Sequence, residues 1–259
     1  MQTLVIYHGN CPDGFGAALA ASHYRPDAEF VEGIYGKEPP PVAGRDVLIV
    51  DFSYPRAVLE RMHSEALSLR VFDHHKTAQA DLAGLPYAEF DMSRSGASLT
   101  WRALVNNDVP ELLRYVEDRD LWRFELPNSH AVSLALWAQP RTFEAWNRYL
   151  HDVKPLTEAG VAMQQYQAML IEQMLRNVTM RQIGGETVPV VNASVCFSEV
   201  GDALCKKFPD APFAAYYFDR GDGIRQWGAR SRGGFDVSAV AKMLGGGGHA
   251  AAAGWTEKL

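Results

Sequence analysis

The chain has 259 residues, of which 47% are hydrophobic, and its 25 Lys and Arg against 31 Asp and Glu give a formal charge of −6. This composition is typical of a globular protein and excludes a disordered or fibrous chain. The acidic balance argues against an extended groove for long duplex nucleic acid, because phosphate binding depends on Lys and Arg. Residues 184–259 hold eight basic and eight acidic side chains, so the whole excess of negative charge lies in residues 1–183.

The first part of the chain alternates short apolar strands with helices. Strands are predicted at Thr3–Tyr7, Arg45–Phe52 and Leu69–Phe72, and helices at Gly14–Tyr24 and Tyr54–Ser64. The second of these strands carries four consecutive apolar residues, as expected in a parallel sheet that is covered on both faces. The alternation predicts an α/β domain built on a parallel sheet.

The pattern becomes mostly helical from Ala97 to Leu150 and continues in a further long helix. The apolar face of that helix is formed by residues spaced three or four apart, namely Met163, Tyr166, Leu170, Met174 and Val178. Gly184 and Gly185 are predicted to end the helix. We therefore expect a first domain over residues 1–150, a helical linker over 151–183 and a smaller α/β domain over 184–259.

The last domain is predicted to combine strands, two helices and a glycine run. The predicted elements are a strand at Val188–Val191, a helix at Glu199–Phe208, a hairpin of Phe213–Phe218 with Ile224–Ala229, and a helix at Asp236–Leu244. An Asp-Gly pair between the two hairpin strands is a turn signal. Four glycines, Gly245 to Gly248, follow the second helix and lead into His249.

The three cysteines, Cys11, Cys196 and Cys205, argue against a secreted protein stapled by disulfides, because they form no even framework. The chain opens without a visible signal peptide, and its longest apolar runs fall well short of the ~20 residues that span a bilayer. We expect a soluble cytoplasmic protein without a membrane partner.

Polar residues of the first domain stand where apolar strands end. His8 follows the first strand, Asp51 ends the second, and Asp73, His74 and His75 end the third, with Asp13 in the loop after His8. In parallel sheets the carboxyl ends of strands form the ligand crevice, so these side chains are expected to converge. Carboxylates with imidazoles suit Mn²⁺ or a related cation, and two such ions would clamp a phosphoryl group.

Structural roles compete with this interpretation. Asp51 taken alone fits a helix cap or turn residue better than a ligand, and a lone His8 is more often a satisfied polar side chain. Two adjacent histidines after an aspartate at a strand end are harder to explain by packing, which favours a functional role there.

The glycine run has no justification in stability, because each glycine loses much backbone entropy on folding. A flexible loop is one interpretation. The other is that glycines before a helix N-terminus bring backbone N–H groups close to a phosphate or carboxylate, with His249 as a further donor. The arginine-rich stretch just before the run, containing Arg230, supports such an anion subsite.

The chain resembles the DHH phosphoesterase superfamily, in the branch with the DHH-associated C-terminal domain. The residues that carry the likeness are Val71-Phe-Asp-His-His75 and the stretch Gly245 to Gly254. That branch includes the RecJ exonucleases, the nano-RNases and the dinucleotide phosphodiesterases. The resemblance covers essentially the whole chain and implies a metal-binding catalytic domain, a substrate-binding C-terminal domain and an active cleft between them.

The resemblance also implies roles for single residues. Asp51 would bridge two Mn²⁺ ions, with Mg²⁺ or Co²⁺ as alternatives; Asp13, His74 and Asp118 would complete one metal site, and His8 would serve the other. His75 would lie near the scissile phosphate. Asp120 competes with Asp118 for the fourth motif. The terminal phosphate or nucleotide of the substrate would be held by Arg230, Gly246, Gly247, Gly248 and His249.

The first motif departs from the family pattern. An aspartate that usually precedes Asp13 is replaced by Cys11, and His8 sits one residue further away. The His8 site therefore has Cys11, Asn10 or water as alternatives for the missing ligand, or it is filled only together with substrate.

The function that the resemblance implies is a Mn²⁺-dependent phosphodiesterase or exonuclease. Its substrate would be a short single-stranded oligonucleotide or linear dinucleotide, cut to mononucleotides by metal-activated water. The alternatives are a phosphomonoesterase acting on small nucleotides, of the 3′-phosphoadenosine phosphatase type, and a non-catalytic nucleotide-binding module. A homodimer is compatible with the sequence.

Overall fold

The computed structural model describes residues 3–9, 11–106 and 108–259, so the alternative ligand Asn10 lies outside the described residues. The chain divides into two compact units, residues 1–164 and residues 165–259. The division falls inside a long helix, within residues 151–183, which the sequence predicts to be a helical linker.

The first unit contains a five-stranded sheet whose strands all run parallel. Its strands are β1 (Thr3–His8), β2 (Glu29–Gly33), β3 (Asp46–Val50), β4 (Ser68–Asp73) and β5 (Ala88–Phe90). They lie in the order β2-β1-β3-β4-β5. The predicted parallel α/β fold is confirmed, although β2 and β5 were not predicted.

Helices cover both faces of this sheet. The helices of this part of the chain are α1 (Pro12–Tyr24), α2 (Arg56–Glu65), α3 (Lys76–Asp81), α4 (Gly96–Leu104), α5 (Glu111–Asp120), α6 (Ser129–Trp137), α7 (Phe143–Asn147) and α8 (Lys154–Met174), which crosses the division. Ile49 packs with Leu59 of α2 on one face, whereas Val50 packs with Ala17 of α1 on the other. This two-sided burial explains the continuous apolar run of β3.

The second unit is a six-stranded mixed sheet with one helix against each face. Its elements are β6 (Thr179–Ile183), β7 (Glu186–Asn192), α9 (Phe197–Lys207), β8 (Phe213–Asp219), β9 (Ile224–Ser231), α10 (Val237–Met243), β10 (Gly247–His249) and β11 (Ala252–Lys258). The strand order is β10-β11-β9-β8-β7-β6, and only β7 and β8 pair in parallel. Val200 of α9 and Val240 of α10 belong to the two separate cores on opposite faces.

Three expectations for the later part of the chain were wrong. Gly184 and Gly185 form the turn between β6 and β7 and do not end a helix. The glycine run leads into the hairpin of β10 and β11, not into a helix. The predicted apolar face of α8 is not buried along its whole length, since Tyr166 is 60% exposed. Hydrophobic periodicity identifies the apolar side of a helix but does not show which of its residues are covered by other elements.

Among the described residues, no helix combines the length and apolar character required to cross a bilayer.

Candidate active site

The candidate site lies where the strand order of the first sheet reverses direction, between β1 and β3. β2 lies on one side of β1, whereas β3, β4 and β5 follow on the other. At such a switch point the loops leaving two neighbouring strands diverge to opposite faces and open a crevice at their carboxyl ends. His8 ends β1, and Asp51 directly follows β3. The topology therefore places both side chains at this crevice.

Asp51 stands out for its backbone conformation and its unsatisfied carboxylate. Its φ of 55° is uncommon for a residue with a side chain, and its backbone N–H donates to the carbonyl of Phe72 at 2.8 Å. The side chain is 1% exposed, yet neither carboxylate oxygen has a well-oriented hydrogen bond from the described residues. The ring nitrogens of His74 and His8 lie 3.2 and 3.5 Å from these oxygens, and a buried carboxylate held only by such loose contacts is costly unless a cation supplies a further partner.

Five predicted residues form two groups that share Asp51. One group joins Asp51 to Asp13 and His74, and the other joins it to His8 and His75; in each, the ligand atoms lie within 4.8 Å of one another. His74 Nε2 lies 3.2 Å from Asp51 Oδ1, and His8 Nδ1 lies 3.5 Å from Asp51 Oδ2. This is the arrangement that a bridging carboxylate between two cations requires.

The N-terminus of α4 holds the carboxylate of Asp13. The backbone N–H of Gly96 donates to Asp13 Oδ2 at 2.6 Å, and that of Ala97 donates to Oδ1 at 3.0 Å. These two N–H groups have no partner within the helix, so an acceptor at this end also gains from the helix dipole. A side chain at Gly96 would collide with Asp51, so only glycine lets the helix come this close.

Asp73 orients the ring of His75 and holds the backbone of His74. Its Oδ1 accepts the backbone N–H of His74 at 2.8 Å and the ring Nδ1 of His75 at 2.6 Å, while its Oδ2 accepts the Ser53 hydroxyl at 2.6 Å. A carboxylate at Nδ1 sets the ring tautomer and directs Nε2 towards the site, as in many metal centres. Asp73 is thus a positioning residue, and its partner Ser53 was not predicted.

The electrostatics of the cluster favour a cation. Burial raises the pKa of Asp13 well above its usual range, and the carboxylates of Asp51 and Asp120 raise it further. Burial lowers the pKa of His74, but the neighbouring carboxylates of Asp51 and Asp13 have the larger effect and raise that pKa to about 10. Burial raises the pKa of Asp51, but the imidazoles of His74 and His8 have the larger effect and lower that pKa to about 2. A divalent cation removes the repulsion between these carboxylates.

The structure does not bring Asp118 to the cluster. The carboxylate of Asp118 accepts the backbone N–H groups of Glu125 at 2.9 Å and Leu126 at 3.3 Å, which ties the loop after α5 to the helix. Asp120, the competing candidate, has its Oδ2 3.6 Å from His74 Nε2. Neither residue belongs to the two ligand groups found among the described residues, but Asp120 lies beside the cluster and is the better candidate for the fourth carboxylate.

Two variants separate these carboxylates. We expect Asp118→Ala to destabilise the protein by about 1–3 kcal/mol, because it leaves two backbone N–H groups without an acceptor. We expect Asp120→Asn to melt like the parent but to lose about tenfold to hundredfold of its metal affinity. Thermal unfolding and manganese titration would measure the two effects. The reverse pattern would restore Asp118 to the metal site.

Neither potential ligand group among the described residues contains Cys11. Burial raises the pKa of this thiol, and the neighbouring Asp51 and Asp13 raise it further, so the thiolate that a metal would require is disfavoured. Tyr35, which follows β2, is an unpredicted neighbour of the site; its ring centroid lies 5.5 Å from that of His8. Tyr35 could not be predicted as a neighbour of the site, because a single aromatic residue in a loop belongs to no recognisable sequence pattern.

In the second unit, Arg230 and His249 stand in one row of the sheet. His249 pairs with Ala252 of β11, and Ala252 pairs with Arg230 of β9. Directly opposed residues of paired antiparallel strands point to the same face, and two strand spacings amount to about 10 Å. The predicted pair of phosphate-binding side chains is therefore on one face, with only the small side chain of Ala252 between them.

The glycines of the run have distinct roles in this hairpin. A side chain at Gly246 would collide with the carbonyl of Gly254, and one at Gly248 would collide with Ala252, whereas Gly247 has open space around it. Gly248 also has a φ of +143°. The close approach of the two strands therefore explains why glycine is needed at positions 246 and 248, with no ligand involved. Gly247 is the position at which there is room for a ligand.

Comparison with known proteins identifies this second unit. Residues 191–258 match the family model described as the DHHA1 domain. These residues are similar to the DHHA1 domain. This match agrees with the predicted resemblance to a chain that carries the DHH-associated C-terminal domain, and the run Gly246 to His249 lies inside the matched residues.

A curated relative and two solved structures extend the comparison. The chain is 26% identical to an uncharacterized protein of Acanthamoeba polyphaga mimivirus, and the alignment covers 97% of this chain and 66% of the viral protein. The chain therefore spans just under two thirds of the length of that relative. Its fold is similar to that of the pGpG-specific phosphodiesterase PggH of Vibrio cholerae, with 14% identity, coverage of 100% of this chain and 94% of PggH, and a TM-score of 0.57.

The second structure is the exonuclease RecJ bound to manganese. It has 14% identity, coverage of 98% of this chain and 85% of RecJ, and a TM-score of 0.51. At this level of identity both structures show the fold of the chain and no more.

Proposed function

We propose that this protein is a metal-dependent phosphoesterase that hydrolyses short oligonucleotides or linear dinucleotides to mononucleotides. The observation that carries the proposal is Asp51, a buried carboxylate in a left-handed backbone conformation that two groups of metal ligands share. A structural aspartate would instead be capped by donors, as Asp118 is. Asp51 therefore fits a bridging ligand better than the helix cap that the sequence alone favoured.

The donor set fits a divalent cation of intermediate hardness. Asp13, Asp51 and His74, with Asp120 beside them, would hold one ion, and His8, Asp51 and His75 would hold another. Carboxylates with imidazoles suit Mn²⁺, with Mg²⁺ and Co²⁺ as alternatives, and the manganese in the similar RecJ structure supports this choice. Such ions, when bound, polarise a phosphoryl oxygen and make water a stronger nucleophile at neutral pH.

The protein's own residues orient the reaction. The N-terminus of α4 locks the carboxylate of Asp13, and Asp73 locks the ring of His75, so the ligands are held before substrate arrives. Such preorganisation is what stabilises charge that develops during phosphoryl transfer. Burial lowers the pKa of His75, but the hydrogen bond with Asp73 has the larger effect and raises that pKa, and a more basic imidazole is a stronger metal ligand.

Several observations support a short substrate. The acidic chain offers no large excess of Lys and Arg for a long polyanion. The similar PggH structure is that of a phosphodiesterase specific for the linear dinucleotide pGpG. In the DHHA1 domain, Arg230, Gly247 and His249 would grip the terminal phosphate of such a substrate.

The function is tested by hydrolysis of a 5′-phosphorylated dinucleotide with purified protein. We expect mononucleotide release in Mn²⁺, its loss after chelation and its return when Mn²⁺ is added back. Release of inorganic phosphate alone, from 3′-phosphoadenosine 5′-phosphate, would favour a phosphomonoesterase. Dinucleotide binding without turnover in Mn²⁺, Mg²⁺ and Co²⁺ would show a binding module and refute the enzyme.

The phosphate subsite is tested by His249→Ala. Hydrogen bonds to charged groups contribute about 1.5–3 kcal/mol, so we expect the KM for the dinucleotide to rise about tenfold to hundredfold while kcat changes little. The matched control is His151→Ala, an exposed histidine of the first unit. An unchanged KM would remove His249 from the subsite.

A further inference from the structure

A cavity of about 180 Å³ opens beside the metal cluster of the first unit. It lies between the C-terminal half of α5, the C-terminal half of α6 and the first residues of α1. Asp13 and Asp120 line it and also belong to the cluster. A molecule in this cavity is therefore in direct reach of a group held at the metal ligands.

The walls of the cavity are apolar. Val116 of α5 and Val132 and Leu136 of α6 line it, and each is at most 4% exposed. A core of this kind normally closes over its apolar side chains, because interiors pack to high density with few voids. The space instead stays open towards a charged cluster, as in a ligand pocket with apolar walls and a few polar groups.

Trp137 forms the outer edge of the cavity. Its side chain is 53% exposed, although a large indole usually gains more from burial. The guanidinium of Arg141 lies over the indole, 4.9 Å from the ring centroid, and this cation–π contact holds the ring in place. A fixed, half-exposed indole at a pocket edge provides a flat surface on which an aromatic heterocycle can stack.

The size and polarity of the cavity define its ligand. Pockets for whole drug-sized ligands measure roughly 300–1,000 Å³, so this smaller space accommodates one ring system of a larger substrate. The polar side chains along it are those of Ser133, Arg119, Cys11 and Tyr115, in addition to the two cluster carboxylates, and the Tyr115 hydroxyl already donates to the carbonyl of Pro127. So few groups allow stacking with little discrimination between bases.

We infer that this cavity is a nucleobase pocket, which receives the base of the nucleotide whose phosphate is cleaved at the Asp51 cluster. The inference rests on the proposed function, because a phosphate at the cluster is what brings a base to the cavity. The inference assigns Trp137 as the residue on which the base stacks. Ser133 is the position at which a larger side chain would block the pocket. Base stacking on an aromatic side chain accounts for about tenfold to hundredfold in affinity.

The test compares adenosine 5′-monophosphate with ribose 5-phosphate by calorimetric titration of the Mn²⁺-loaded protein. The two ligands share the phosphate and the sugar, so the ratio of their Kd values isolates the base. We expect the nucleotide to bind at least about tenfold more tightly. Trp137→Ala and Ser133→Phe should each abolish most of this preference. Leu67→Ala is the control, because Leu67 is 55% exposed and lies outside the site.

Each outcome separates the pocket from the proposed function. A Kd ratio near one in the parent protein, or a ratio that both Trp137→Ala and Ser133→Phe leave unchanged, would overturn the pocket. Thermal unfolding of each variant confirms that it is folded before its ratio is used. Dinucleotide turnover is measured on the same samples: turnover without a base preference refutes only the pocket, and a base preference without turnover refutes only the hydrolase.

Discussion

Asp51→Asn is expected to abolish dinucleotide hydrolysis while the protein stays folded. The amide carries no charge and cannot bridge two cations. Mutating a residue that only hydrogen-bonds to a metal ligand can lower activity by up to ~100-fold, and we expect the loss of hydrolysis rate in Asp51→Asn to be larger than that. Asparagine tolerates the left-handed backbone conformation better than most residues, so the φ of 55° does not oppose the substitution. Initial rates in Mn²⁺, with thermal unfolding of both proteins, provide the measurement.

The matched control is Asp46→Asn, at the other end of the same strand. Asp46 begins β3 and accepts the hydroxyl of Ser68 at 2.8 Å, away from the carboxyl end where the cluster lies. We expect this variant to keep the parent's rate. Retained turnover in Asp51→Asn would refute the bridging role, and a comparable loss in Asp46→Asn would indicate a general effect of charge on the fold.

Gly96→Ala should cost both stability and activity. The added methyl group would collide with the side chain of Asp51, so α4 or Asp51 has to move. Overpacking of this kind typically costs about 1–3 kcal/mol of unfolding free energy. A shift of about 1 Å in catalytic groups can reduce the rate about 100-fold. Any movement of α4 would also disturb the N–H groups that hold Asp13.

Gly221→Ala serves as the control for this substitution. Gly221 lies in the turn between β8 and β9 and has no atom within 4 Å of the position that a methyl group would occupy. We expect it to melt and turn over substrate like the parent. Manganese titration of Gly96→Ala adds a second readout, since a displaced Asp51 should bind the metal more weakly. Parent-like affinity and rate in Gly96→Ala would show that α4 does not need to approach Asp51 so closely.

The site residues at strand ends could be predicted because two independent regularities coincide. Consecutive apolar residues mark a strand that is covered on both faces, and the carboxyl ends of parallel strands meet at one edge of a sheet. His8, Asp51 and His74 follow such strands, so their convergence required no knowledge of the loops. Strand β2 was missed because its burial is only partial and its sequence mixes acidic with apolar residues.

The choice between Asp118 and Asp120 depended on how α5 is rotated. At 3.6 residues per turn, side chains two positions apart point about 200° apart around a helix, so only one of them can face His74. Sequence spacing cannot supply that rotation, because it depends on which face of α5 the neighbouring helices cover. Packing places Asp120 beside His74 and leaves Asp118 to the backbone of the following loop.

The sequence by itself determined a parallel α/β unit, a second α/β unit with a hairpin, and a set of carboxylates and imidazoles at strand ends, because hydrophobic periodicity and turn residues are local signals. Only the tertiary structure decided that the glycine run forms a strand pairing, that Gly96 makes room for Asp51, and that a cavity adjoins the cluster. These features arise from close approach between segments that are distant in the chain, and close approach depends on the packing of all the elements together.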